Sequence, residues 1–346
     1  MENNQKRMRT VYFEALRLLA MFCVLFNHSG QEGYWYYTLL GPGVKRVVAI
    51  AASSYCKIGV LLFFMISGAL LLGKEEEVGT FFRKRILKYL LIILVWNVIY
   101  HGYICFVNEE AITWLGILHA ITGADTLVSY WFLYSYFGYL CCLPLMRRFV
   151  KSMKEADYWY LAGLYVVGAC LFSALARTNM GQIAVTFPLV VDAFVYPMMG
   201  HFLANVLQPK YTRVQCIWMS CGAIFLGLGL NVALSEYQAA IFGGFHENSL
   251  FVFSFLVAMG TFSLTKVLLG GGGRLAPSVI LLLGSGVFGV YLMEPYLKAI
   301  LGPVLQRCFS MFPPVLENLC YIAGLLFLGS LLSAGLKKIP GIRTLL

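Results

Sequence analysis

Long apolar stretches dominate this sequence and restrict what the chain can fold into. Only 12% of its residues are charged and 60% are hydrophobic, whereas a soluble domain is about 25% charged. About 20 consecutive apolar residues suffice to cross a bilayer as a helix. The composition therefore excludes a soluble enzyme, a disordered chain and a DNA-binding module. It predicts an all-α integral membrane protein, since lipid favours helices that satisfy their own backbone.

Ten apolar runs have the length of a transmembrane helix. The fifth and sixth are the weakest, because the sixth contains Pro188, Asp192 and Pro197. The chain holds no sequence for a second domain, so we expect one multi-span domain over residues 1–346. The predicted spans lie near residues 11–29, 55–73, 86–106, 127–146, 158–176, 186–205, 214–234, 248–269, 278–298 and 315–336.

The basic residues indicate how these spans are oriented. The formal net charge of +10 could suggest a nucleic-acid partner, but dispersed basic loops in an apolar chain fit the positive-inside rule better. With the N-terminus in the cytoplasm, most of the 26 Lys and Arg residues fall on the inner side. This asymmetry favours ten spans with both termini cytoplasmic, and no nucleic-acid partner.

Three ionisable side chains lie in the first span, where the bilayer makes charge costly. Arg17 and His28 are three helical turns apart, so they share a face and lie ~16 Å apart along the axis. Glu14 lies on nearly the same face. One interpretation is functional. The other is that Glu14 and Arg17 pair near the inner interface, and that His28 is an interfacial histidine.

Distances from the helix ends place several reactive side chains in an outer layer of the membrane. An imidazole beside a carboxylate is the pairing that makes a general base. The alternatives are an aromatic belt for the two aromatic members, and an aspartate that caps or bonds a proline-broken helix. The outer layer contains His28, Glu294, Asp192, Trp131 and Tyr134.

A second set of side chains falls in an inner layer that is mostly basic. It contains Arg17, Ser67, Arg85 and Lys88. Basic side chains at a cytoplasmic mouth suit a phosphorylated molecule. The alternative for Arg85 and Lys88 is that they only fix topology. Ser67 could act as a transient nucleophile, but a small residue for close helix packing is favoured.

Four sequence blocks in the same order resemble the membrane-bound acyltransferase 3 family. Residues 12–30, YFEALRLLAMFCVLFNHSG, are similar to its opening helix, with ten residues between Arg17 and His28. Residues 59–68, GVLLFFMISG, resemble the second helix and contain Ser67. The runs FFRKRILKYL and YWFLYSYFGYLCCLPLM resemble the next two blocks, and VYPMMGHFL and GVFGVYLMEPYL look like later helices.

The resemblance implies acyl-CoA-dependent O-acylation, usually acetylation, of sugars in surface glycans or related molecules. It implies that His28 is the catalytic histidine, and that Arg17, Arg85 and Lys88 contact CoA. Three positions depart from the family. Lys88 stands where arginine is usual, Glu14 where aspartate is common, and Glu294 where many members have histidine. A carboxylate at residue 294 could still orient His28.

Together these features predict a membrane O-acyltransferase whose co-substrate is acyl-CoA, with acetyl-CoA favoured. His28 would deprotonate an acceptor hydroxyl of a glycan or lipid-linked sugar, with Glu294 or Asp192 orienting it and Trp131 and Tyr134 on the substrate side. No permanently bound cofactor is expected, and no metal, because the histidines lack ligand spacing. The rival hypotheses are a transporter or exporter of a polar or lipid-linked solute, and a sensory or structural membrane protein.

Overall fold

The structure is a computed structural model that describes residues 2–123, 130–178, 181–207, 210–270 and 277–346. Every regular element in these ranges is helical, which confirms the predicted all-α class. The α-helices are α1 Glu2–Asn27, α2 Val44–Cys56, α3 Ile58–Leu71, α4 Val78–Phe81, α5 Leu87–Val107, α6 Trp114–Thr122, α7 Trp131–Ser152, α8 Glu155–Tyr165, α9 Phe172–Ala176, α10 Asp192–His201, α11 Arg213–Phe242, α12 Ser254–Leu269, α13 Pro277–Phe309, α14 Pro314–Leu336 and α15 Ile342–Leu345.

Seven helical stretches of the described residues are long and apolar enough to cross a membrane. Each contains an apolar window with few charges, as a bilayer requires. The predicted multi-pass membrane character is thus confirmed, while the number ten and the orientation of the termini stay predictions. The seven stretches are Val44–Leu71, Val78–Val107, Glu155–Ala176, Arg213–Phe242, Glu247–Leu269, Ser278–Phe309 and Pro314–Leu336.

The first, fourth and sixth predicted spans are helical but are not among these seven. Helix α7 ends in a basic run that lowers its hydropathy, and α1 carries Glu14 and Arg17 in its apolar part. The predicted start of the fourth span, at 127–129, lies outside the described residues. The sixth span begins at Asp192 rather than near residue 186, because Pro188 disfavours a helical conformation at the residue before it.

Two predicted boundaries were also wrong. Helix α2 lies before the expected start of the second span at residue 55, and the long helix α13 runs to Phe309, beyond the expected end at residue 298. Pro295 and Pro303 lie inside α13. Proline in a membrane helix is tolerated when neighbouring groups satisfy the freed backbone. Residues 294 and 298 both lie inside this one continuous helix.

The described chain forms two compact units. Unit 1 contains residues Met1–Leu71 and Met153–Ala334, and unit 2 contains Leu72–Ser152 and Gly335–Leu346. In unit 1, α1 packs against α3 and α13, α10 packs against α3, and α11 packs against α12. In unit 2, α5 packs against α6, α7 and α15.

Close contact between α3 and α10 depends on glycine. A Cβ atom on Gly68 would lie 1.9 Å from the carbonyl oxygen of Pro197, and one on Gly200 would lie 1.9 Å from that of Met65. Backbone atoms on both sides leave no room for a side chain to give way. Small residues allow such an approach of helices in membranes. Gly68 therefore explains part of the FFMISG pattern by packing rather than by chemistry.

Local sequence signals explain several helix ends. The Thr212 hydroxyl accepts a hydrogen bond from the N–H of Gln215, whose side chain accepts one from the N–H of Thr212, so α11 starts with a capping box. Gly243 follows α11 with a φ of 70°, a left-handed conformation that favours glycine. These signals fix the two ends of α11, which packs against α12 in unit 1.

Candidate active site

His28 and Glu294 meet in unit 1. Helix α1 ends at Asn27, so His28 is the first residue past it, and Glu294 lies on α13, which packs against α1. The His28 Nδ1 and the Glu294 Oε1 are 2.8 Å apart. The Glu294 side chain is 2% exposed and that of His28 is 25% exposed. The structure thus brings together the imidazole and one of the two carboxylates that the sequence placed at the same depth.

This contact fixes how the imidazole can work. A carboxylate can only accept, so in the neutral imidazole Nδ1–H donates to Glu294 and the lone pair is on Nε2. A hydrogen bond of this kind holds one tautomer and one ring orientation. His28 is therefore arranged as a proton acceptor, in the way that an aspartate arranges the histidine of a hydrolytic triad.

The residues next to His28 are held by a small polar network. The Ser29 hydroxyl donates to the carbonyl of Phe26 at 2.6 Å, and it accepts from the N–H of Tyr34 at 3.2 Å and from the Asn318 amide at 3.3 Å. A Cβ atom on Gly33 would lie 2.0 Å from the Ser29 Oγ. The end of α1 is consequently fastened both to the loop that follows it and to α14.

Lys298 joins the same cluster from α13. Its Nζ is 2.6 Å from the Glu294 Oε1, and it donates to the backbone carbonyl of His28 at 3.2 Å. Sequence reasoning did not single out Lys298, which stands at the last residue of the predicted ninth span. The available signal was the spacing: Lys298 follows Glu294 by four residues, and residues four apart on a helix are neighbours.

Asp192 makes a different contact. It is the first residue of α10, and it accepts a hydrogen bond from the Tyr165 hydroxyl. A carboxylate in the first turn of a helix is also stabilised by the helix dipole. The structure thus pairs Asp192 with Tyr165 and pairs His28 with Glu294. This matches the interpretation of Asp192 as a bonding group of a helix that contains Pro197.

Arg17 and Ser67 are the two unit 1 residues that the sequence assigned to acyl-CoA. Arg17 forms a salt bridge with Glu14, one turn earlier on α1, and its side chain is 32% exposed. This is the pairing anticipated as an alternative for these two residues, and a guanidinium retains further donors after one such bond. Ser67 is half-buried on α3, directly before Gly68.

Arg85 lies in unit 2, in a π-helical turn at Phe82–Ile86. Single π turns within helices often occur at functional sites. The Arg85 Nε donates to the Glu76 Oε2 at 3.0 Å, and the Arg147 Nη2 donates to the same oxygen at 3.2 Å. Partial burial by itself would raise the pKa of Glu76, but these two hydrogen bonds outweigh it and hold that pKa below its usual value. We call Glu76, Arg85 and Arg147 the arginine cluster.

The remaining predicted residues also lie in unit 2. Lys88 is exposed in the first turn of α5. Trp131 is exposed at the start of α7, and the Tyr134 hydroxyl donates to the backbone carbonyl of Ile121 at 2.9 Å. The Tyr134 bond ties α7 to α6. Sequence reasoning did not single out Glu76 or Arg147, although a run of three glutamates at 75–77 stands a few residues before the run FFRKRILKYL.

The fold and this site define the class of protein. A multi-pass helical chain holds an imidazole against a buried carboxylate at the end of its first helix, an arrangement that is chemically able to accept a proton. The described residues contain no group of three or more His, Cys, Asp or Glu side chains placed to hold a metal.

The sequence model of the acyltransferase domain family matches residues 10–334. The chain therefore belongs to the acyltransferase 3 family and is a membrane acyltransferase, and the resemblance of the sequence blocks is confirmed. The matched region runs through both units. No curated protein and no solved structure matches the chain.

Proposed function

We propose that this acyltransferase moves an acyl group, acetyl above all, from cytoplasmic acyl-CoA to a hydroxyl of a surface glycan or lipid-linked sugar. The observation that carries the proposal is the 2.8 Å contact between the His28 Nδ1 and the Glu294 Oε1. O-acylation needs a base for the acceptor hydroxyl, and a general base contributes about 100- to 10,000-fold to the rate. Of the two carboxylates named from the sequence, Glu294 is the one within hydrogen-bond distance of His28.

The proposed reaction transfers the acyl group from the thioester sulfur to the acceptor oxygen and the proton from the acceptor to the thiolate. The His28 Nε2 takes the proton of the acceptor hydroxyl while the oxygen attacks the thioester carbonyl. The new ester C–O bond forms, the C–S bond breaks, and the proton on His28 passes to the CoA thiolate. Glu294 stays ionised and stabilises the transient imidazolium, as the aspartate of a triad does.

The acyl-CoA contacts are proposed from charge and from membership of the family. The candidates from the sequence are Arg17, Ser67, Arg85 and Lys88. Arginine forms forked, charge-assisted hydrogen bonds to phosphate. Lys88 would act as a point charge, since it lacks that fork. Trp131 and Tyr134 are proposed to face the acceptor.

The test of this function is transfer itself. Membranes that contain the protein, and matched membranes without it, are given acetyl-CoA labelled in the acetyl group. We expect label in the lipid-linked sugar or glycan fraction only when the protein is present, and release of that label by mild alkali, which cleaves O-acetyl esters. Absence of transfer to any hydroxyl acceptor, with movement of a solute across the membrane instead, would favour the transporter hypothesis.

We further propose that ten helices span a bacterial-type plasma membrane with both termini in the cytoplasm. The support is the distribution of Lys and Arg and the membership of the family. A cysteine-free variant with one cysteine returned at Lys154 or at His246, both exposed, should react with an impermeant reagent from the inside and the outside respectively. Reaction of both from one side would contradict this topology.

A further inference from the structure

One oxygen of a buried carboxylate is shared by two groups in unit 1. The Glu294 Oε1 is 2.8 Å from the His28 Nδ1 and 2.6 Å from the Lys298 Nζ. The other oxygen, Oε2, is buried and has no hydrogen-bond partner among the residues that the structure describes. The ionised carboxylate of Glu294 is therefore stabilised through the contacts that Oε1 makes with His28 and Lys298.

Lys298 also contacts the backbone of His28. Its Nζ donates to the backbone carbonyl of His28 at 3.2 Å. That carbonyl lies just beyond the last residue of α1, where helix carbonyls lack intrahelical partners. A cation at this end of a helix is favourable. Lys298 thus contacts both the backbone that carries the imidazole and the carboxylate that orients it.

The charges of the cluster explain why a cation is needed there. A base must be neutral before it acts, and a neutral imidazole does nothing to balance the negative charge of Glu294. An ionised carboxylate that is 2% exposed is very unfavourable unless it is paired. Without Lys298 the buried carboxylate would have no permanent cation beside it. With Lys298, Glu294 is compensated whether or not the imidazole carries a charge.

We infer that Lys298 is a positioning residue that keeps Glu294 ionised beside a neutral His28 and fixes the end of α1 that carries His28. This inference rests on the proposed role of His28 as general base. Lys298 acts through Glu294 and the His28 backbone, and its role extends the pair to a set of three. The pairing follows from the spacing of four residues on α13, with the glutamate before the lysine, which is the favoured order.

The test is a double-mutant cycle on the full-length protein purified in detergent. The variants are Lys298→Met, Lys298→Arg, Glu294→Gln and Glu294→Gln/Lys298→Met, measured for kcat, for KM and for acetyl-CoA affinity. We expect Lys298→Met to lower kcat by about 10- to 100-fold, as loss of groups that orient a working histidine does. Acetyl-CoA affinity should stay within about twofold. Lys298→Arg should restore most of kcat, because it keeps the cation.

The cycle separates positioning from a general structural role. If Lys298 acts through Glu294, adding Lys298→Met to Glu294→Gln should change kcat by no more than about twofold. This comparison holds even where Lys298→Met alone does not fold, because the double variant has no unpaired carboxylate. The matched control is Lys57→Met, which breaks another Lys–Glu pair, with Glu247, and should leave kcat within about twofold.

Two results would overturn the inference: a fully active Lys298→Met, or a loss in the Glu294→Gln background as large as in the wild type. Its failure is distinguishable from failure of the proposed function. If His28→Ala is inactive while Lys298→Met is fully active, only the role of Lys298 is wrong. If His28→Ala keeps normal turnover, the general base itself is wrong.

Discussion

Two carboxylates of this protein are each shared by two basic side chains. Comparing them distinguishes a cluster suited to proton transfer from a cluster suited to anion binding. In unit 1, Glu294 is held by His28 and Lys298, and its side chain is 2% exposed. In unit 2, Glu76 is held by Arg85 and Arg147, and its side chain is 17% exposed. A guanidinium does not lose its proton in a protein, whereas an imidazole gains and loses one near neutral pH.

The difference assigns different work to the two clusters. His28, Glu294 and Lys298 form the His28 cluster. It contains an imidazole, which can gain and lose a proton, so this cluster suits proton transfer. The arginine cluster keeps its charge at neutral pH, so it suits attraction of an anion and support of the segment that carries Arg85. Changes in the first cluster should alter the rate of transfer, and changes in the second should alter affinity or stability.

The largest effect is expected from His28→Ala. Loss of a general base should lower transfer by about 100- to 10,000-fold, with expression and acetyl-CoA binding retained. Turnover per folded molecule, measured with labelled acetyl-CoA, checks this. His246→Ala is the matched control, because His246 is exposed and lies outside the cluster; it should keep wild-type turnover. Reduced expression with normal turnover would instead mark His28 as an interfacial anchor.

A smaller effect is expected from Arg85→Ala, and on binding. A charge-assisted hydrogen bond to phosphate contributes about 1.5–3 kcal/mol, or roughly 10- to 150-fold in affinity. Calorimetric titration with acetyl-CoA measures it. Lys84→Ala removes the same charge from the same π-helical turn and controls for topology, since Lys84 is exposed. Equal affinities of both variants and the wild type would leave Arg85 a topological role alone.

The arginine cluster should also make stability depend on pH. The pKa of Glu76 is lowered in the folded protein, so its contribution is present above the ordinary carboxyl pKa and is lost as the pH falls through the lowered one. Glu76→Gln should cost about 1 kcal/mol at neutral pH, and the cost should shrink in acid. Thermal unfolding in detergent at both pH values tests this. Glu75→Gln is the control, because Glu75 and its partner Lys151 are highly exposed. A cost for Glu76→Gln that does not change with pH would contradict the prediction.

The smallest effect is expected from Asp192→Asn. Its structural partner is the Tyr165 hydroxyl, and asparagine can still accept that hydrogen bond. Transfer should therefore stay within about twofold of the wild type, while Glu294→Gln in the same assay should fall by about 10- to 100-fold. Equal losses for the two variants would mean that Asp192 shares the orientation of His28.

The sequence predicted the membrane class because apolar length and the bilayer thickness are directly related. It was less successful at helix ends. Helix α2, with Lys45 and Arg46 in its first turn, does not look like part of a span until it is joined to α3. The sixth span was shortened by Pro188 at its start. These boundaries depend on local backbone chemistry that hydropathy does not report.

The candidate site was only partly accessible to sequence reasoning. His28 and Glu294 could be placed at one depth, but their contact depends on how α1 and α13 pack, which a single sequence does not specify. Lys298 was missed because it lies at the last residue of the predicted ninth span, where a lysine is expected to reach the membrane surface. In the structure α13 continues to Phe309, so Lys298 lies inside the helix, four residues after Glu294.

The central claim is that His28 performs the chemistry while the arginine cluster serves binding. The most direct test is the single-turnover rate of acetyl transfer at saturating acetyl-CoA, measured for His28→Ala and Arg85→Ala beside the wild type. At saturation, weak binding no longer limits the rate, so Arg85→Ala should approach the wild-type rate. His28→Ala should remain slower by at least about 100-fold. A normal saturated rate for His28→Ala would contradict the account.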